Sequence, residues 1–152
     1  MSRYVPLRWI SLASALVLGV LLFEEAAVAQ DANVVFVVLR AADGTSVPSP
    51  VLRRMLRGYQ SSWPSGARTR VVLPGQESQS YEIIARSVFE TSGRGMTRHW
   101  LQAVFSGRAL APTFVSSDEE VIAQVQALES AVGVIASPPS VLPEGLMVVQ
   151  LD

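Results

Sequence analysis

The chain has 152 residues, with twelve arginines, no lysine, one histidine and thirteen acidic residues, for a net charge of −1. That balance argues against a polyanionic partner such as nucleic acid. With no cysteine, a disulfide framework, a cysteine-based zinc site and a thioether-linked lipid anchor are all excluded, and the fold must be stabilised by packing alone.

Arg3 and Arg8 precede an uncharged run from Trp9 to Phe23, and Ala27-Val28-Ala29 places small residues at the two positions a signal peptidase reads. The run is shorter than the roughly 20 residues that span a bilayer as a helix. The expected organisation is therefore a signal peptide over 1–29, cleaved after Ala29, and one domain over 30–152 exported to the periplasm; an uncleaved N-terminal anchor is the alternative. The part that remains suffices for one modest core.

Asn33 to Leu39 is a nearly unbroken apolar run that reads as a strand buried on both faces, placed at the centre of a sheet. A polar loop from Ala41 to Val47 follows. Ser49 is the expected N-cap of the next helix, with Pro50 at its first position. Val51, Leu52, Met55 and Leu56 form its inward face, Arg53, Arg54 and Arg57 its solvated face, and Gly58 its end. Trp63, held extended by Pro64, is expected to plug the edge of the core.

Arg70 to Phe89 holds a β-branched strand, a Pro74-Gly75 turn and a helix whose apolar residues Ile83, Ile84, Val88 and Phe89 recur at helical spacing. Ser78 is the expected N-cap, with Glu82 at the positive end of the helix dipole. A helix start carrying Ser78 and Ser80 serves either as a cap alone or as an anion site. Thr91 to Arg98 reads as a loop, and Thr97 to Phe105 as a short helix with Trp100, Leu101, Val104 and Phe105 as its apolar stripe. Ser116-Ser117-Asp118-Glu119-Glu120 is a strong helix start, with acids in the first turn ahead of Val121, Ile122, Val125 and Leu128. Ala131 to Ala136 is a buried strand in which Gly133 marks close backbone approach. A proline-rich linker from Ser137 to Pro143 leads to a final strand, Leu146 to Leu151. Alternating strands and helices give an α/β domain with a mixed sheet.

Five features in this order, Gly58 with Trp63-Pro64-Ser65-Gly66, the Ser-x-Ser helix start, His99-Trp100 with Phe105-Ser106-Gly107, Ser117-Asp118-Glu119-Glu120-Val121, and Ala131-Val132-Gly133-Val134-Ile135, resemble the phosphate-binding proteins of ABC transporters. More narrowly, the chain is similar to small exported members of that family with a single lobe, over roughly Asn33 to Ala136. The resemblance implies a three-layer single lobe of the type 2 periplasmic-binding-protein fold, with a mixed sheet flanked by helices. It also implies non-enzymatic binding of phosphate or another small oxyanion at Ser78, Gln79 and Ser80, where relatives carry Ser-Gly-Thr. Pro74 and Tyr81 stand where relatives carry arginines. A single lobe supplies half of a cleft, so a second copy of the chain or another protein would complete the site. The alternative is a ligand-free interaction module that contacts a transporter, an outer-membrane receptor or a sensor protein.

Other chemistry finds little support. His99 is the only histidine and there is no acidic cluster at ligand spacing, so neither a metal nor another cofactor is expected. Ser78, His99 and Asp118 contain the elements of a triad, yet no serine sits in a nucleophile-elbow pattern, and the glycines form no phosphate loop. An enzyme is not expected.

Overall fold

The computed structural model describes residues 34–40 and 47–152; the expected signal peptide and most of the 41–47 loop lie outside them. In chain order the elements are β1 (Val35–Arg40), α1 (Ser49–Leu56), β2 (Arg70–Pro74), α2 (Tyr81–Phe89), α3 (Gly93–Phe105), β3 (Thr113–Val115), α4 (Asp118–Ala127), β4 (Ala131–Ile135) and β5 (Leu146–Leu151). The strands form one mixed sheet in the order β3-β2-β4-β1-β5. β2 runs parallel to both β3 and β4, while β1 is antiparallel to β4 and to β5. β1 is an interior strand, but the centre belongs to β4, all five of whose residues are buried.

Period-2 alternation sorts each inner strand between two cores. Val35, Val37, Leu39, Val71, Leu73, Val132 and Val134 face one way and pack with Leu52, Met55 and Leu56 of α1, Ile84 and Val88 of α2, and Met96 and Trp100 of α3. Val38, Val72, Ala131 and Ile135 face the other way, against Val121, Ile122 and Val125 of α4. The sides follow from handedness. The path β2-α2-α3-β3 moves one strand outward and β3-α4-β4 moves back across β2, so two right-handed crossovers must lie on opposite faces. This α/β architecture, a mixed sheet flanked by helices, agrees with the sequence reading.

Several local expectations are corrected. Pro48, not Ser49, is the N-cap of α1, and Ser49 and Pro50 occupy its first two positions. Arg53 and Arg57 do not simply face solvent: Arg53 donates to the carbonyls of Ser87 (2.7 Å) and Asp152 (2.6 Å), and Arg57 to that of Phe89 (3.3 Å). Cations thereby meet the carbonyl end of α2, where the helix dipole favours them. α3 starts four residues earlier than the periodicity suggests, because Ser92 caps it through Gly95 N and Glu82 accepts from Gly93 N at 3.1 Å. Its buried stripe is Met96, Trp100 and Ala103, whereas Leu101 and Phe105 are exposed. Ile83 is exposed as well. Trp63 behaves as expected: it is buried, and its Nε1 donates to Ser130 O at 2.8 Å.

Candidate functional site

Because β2, β3 and β4 are parallel, they all end on the same edge of the sheet. Pro74 pairs with Val115 there, and Gly75 N donates to Val115 O at 2.7 Å. Chains leaving β2 and β3 turn to opposite faces, which opens a crevice at the carboxyl ends of the strands, the usual ligand position in an open α/β sheet. A cleft of about 800 Å³ lies at this place. One wall is Glu77-Ser78-Gln79-Ser80 after β2, the second is Ser116 to Glu119 with Ile122 after β3, and the third is drawn from the 137–143 segment after β4.

The first wall is a turn rather than a plain cap. Ser78 N donates to Gly75 O (2.9 Å), Ser78 Oγ accepts from Ser80 N (3.2 Å), and Ser78 O accepts from Tyr81 N (3.2 Å). The N-cap position of α2 falls to Ser80, whose side chain makes no capping bond. The expectation that Ser78 caps this helix is thus corrected: the Pro74-Gly75 turn takes six residues to resolve, and Ser78 organises the turn before the helix begins. Ser78 and Ser80 are nearly buried while Gln79 is exposed. Tyr81 is committed elsewhere, its hydroxyl 2.8 Å from Thr97 Oγ1 and its ring packed where a Cβ on Gly93 would fall.

The second wall is a true capping arrangement. Ser117 Oγ accepts from Glu120 N at 3.2 Å, and Glu120 Oε2 reaches back to Ser116 N at 2.8 Å and to Ser116 Oγ at 3.0 Å. Glu119 titrates below the usual carboxylate range, because its own backbone N–H and then the Ser117 hydroxyl favour its charged form. Asp118 Oδ2 accepts from Ala136 N at 3.0 Å, tying α4 to the end of β4, while Asp118 Oδ1 is buried with no partner among the described residues. α4 comes this close to the sheet because Gly133 leaves room: a Cβ there would lie 2.5 Å from Val121 Cγ1.

Two walls of this cleft, 116–119 and 137–143, are absent from the sequence reading of the site. A signal existed, since both follow strands of the parallel set, but β3 itself is too short to be read. The lining carries three carboxylates, Glu77, Asp118 and Glu119, and no arginine. Ser78 and Asp118 share the cleft, whereas His99 does not line it: its Nε2 lies 2.6 Å from Arg57 O, and its ring meets Tyr59 and Phe89 edge-on. Among the described residues no group of three or more His, Asp or Glu stands at metal-binding spacing. No family model, no curated protein and no solved structure matches this chain.

Proposed function

We propose that the domain is an exported, non-enzymatic solute-binding module, like the substrate-binding component of a phosphate ABC transporter, whose ligand sits in the cleft at the carboxyl ends of β2, β3 and β4. One observation carries this reading. Two serine-bearing helix starts, Ser78 to Ser80 and Ser116 to Ser117, line the same cleft at a topological switch point. The Ser78 hydroxyl, which accepts from Ser80 N but keeps its own proton to donate, and the Ser80 hydroxyl, which makes no capping bond, suit a small oxyanion. The carboxylates Glu77, Asp118 and Glu119 bias its form, because they repel an anion that can only accept hydrogen bonds. A ligand that keeps a proton offers the carboxylates a hydrogen-bond donor, which sulfate lacks, so hydrogen phosphate or hydrogen arsenate fits better than sulfate.

Isothermal titration of residues 32–152, the compact unit that contains the whole sheet, tests this. Saturable heat with phosphate, weaker or no heat with sulfate, and loss of binding in the Ser78→Ala, Ser80→Ala double variant are expected. A folded protein that gives no heat with any of these anions refutes the reading. A second reading, a ligand-free adaptor contacting a transporter, outer-membrane receptor or sensor, is favoured by the lack of any arginine in the lining. On that reading the serine substitutions leave complex formation with the partner unchanged.

A further inference from the structure

α3 presents its surface in an unusual way. At about 100° per residue, Arg94, Arg98, Leu101 and Phe105 fall within an arc of about 60°, roughly opposite the core-facing Met96, Trp100 and Ala103. The centre of its solvent face is therefore apolar at one end and cationic at the other, over about 16 Å of helix. Phe105 is 86% exposed and Leu101 52%; neither sits in a groove. Leu110 and Phe114 follow in the same segment, so four of the seven exposed large apolar residues among those described fall within 91–117. This stretch has three arginines and no acidic residue, whereas the rest of the chain holds all thirteen acids. Arg108 lies over the exposed Tyr59 ring, 4.9 Å from its centroid.

We propose that this face of α3 docks on an anionic lipid surface, with Phe105 and Leu101 entering the interface and Arg94 and Arg98 meeting the headgroups. Arginines beside protruding apolar side chains on one helix face are the elements of interfacial binding. Among the described residues no helix is long and apolar enough to cross a membrane, so the contact is superficial. Charge weighs against a second copy as the occupant, since the 91–117 stretch of a partner copy holds no acidic residue to meet Arg94 and Arg98. Convexity weighs against a peptide or helix as the occupant, since such a partner needs a groove on this face. A lipid surface needs neither, and a signal peptide over 1–29, as the sequence reads, would bring the chain to a membrane. This inference is independent of what the cleft binds.

Sedimentation of residues 32–152 with vesicles tests it. Binding is expected to vesicles of about 3:1 phosphatidylcholine to phosphatidylglycerol at low salt, with at least about tenfold less binding to pure phosphatidylcholine and a similar loss near 0.5 M sodium chloride. Leu101→Ser with Phe105→Ser, and separately Arg94→Gln with Arg98→Gln, should each weaken binding about tenfold or more, while Ile83→Ser, an exposed apolar change on α2, leaves it intact. These side chains are exposed, so circular dichroism should be unchanged; the lipid-charge and salt arms need no variant at all. No binding of the wild-type domain to anionic vesicles overturns the proposal, as does binding indifferent to lipid charge or to both double variants. Concentration-dependent dimers abolished by Phe105→Ser, without vesicle binding, would assign the face to a second copy instead.

Discussion

Gly133 sets how closely α4 approaches the sheet, and Gly133→Ala measures that spacing. The new Cβ would stand 2.5 Å from Val121 Cγ1 and 2.8 Å from Val125 Cγ2, where carbon atoms at rest keep about 3.5–4.0 Å. Both valines are fully buried and, being β-branched in a helix, have essentially one rotamer each, so neither can swing aside. Relief must come from retreat of the helix by roughly an ångström or from off-rotamer side chains, an overpacking cost of about 1–3 kcal/mol. Removing a glycine from the unfolded ensemble offsets about 0.5–1 kcal/mol of it. The net expectation is a loss of about 1–2 kcal/mol, read as a lower urea midpoint at unchanged slope. Val121→Ala removes the nearest clashing methyl, so the two substitutions together should cost about 1 kcal/mol less than their sum. Strict additivity, or a Gly133→Ala protein as stable as wild type, refutes the close-approach account. The same retreat should loosen the Asp118 Oδ2 bond to Ala136 N, disturbing the second wall of the cleft before the first.

Ser117→Ala removes a cap and should cost about 1 kcal/mol at neutral pH in urea unfolding. Glu119 is held below its ordinary pKa by its own backbone N–H and then by Ser117, so its contribution is present above the ordinary value and lost as pH falls through the folded one; the gap between wild type and variant should narrow as the pH falls below the ordinary carboxylate range, and a gap that widens would contradict this. Glu90 ends α2 in the left-handed region at φ 56°, so Glu90→Gly should stabilise by about 0.5–1 kcal/mol, because the 3.9 Å contact with Arg57 is exposed and worth little. Thermal melting that shows a loss would refute the strain. Arg53→Ala gives up both forked bonds, to Ser87 O and Asp152 O, and should cost about 1–2 kcal/mol. Arg53→Lys should recover little, since an ammonium cannot reproduce the planar fork, and full recovery would make the charge alone responsible.

Much of the fold was written locally. The apolar runs of β1, β2, β4 and β5, the Ser117 cap with acids behind it, and the glycine in β4 all follow from propensity, capping and burial, which act over a few residues. β3 was not legible: Thr113–Val115 is three residues long and largely exposed, and it is a strand only because β2 offers it a parallel edge. The start of α3 was hidden because one of its donors, Gly93 N, is satisfied by Glu82 from the preceding helix. The exposure of Leu101 and Phe105 was equally invisible, since both match a helical apolar period and only the placement of Trp100 and Met96 against the sheet decides which face is inward. For the site, the sequence determined that Ser78 and Ser80 follow a strand at a turn. It took the two crossovers on opposite faces of the sheet to bring Ser116 to Glu119 and the 137–143 segment to the same cleft, and with them the carboxylates of Asp118 and Glu119. Residues some 40 to 60 positions apart meet there because parallel strands end on one edge, which is a property of topology and not of any short stretch of chain.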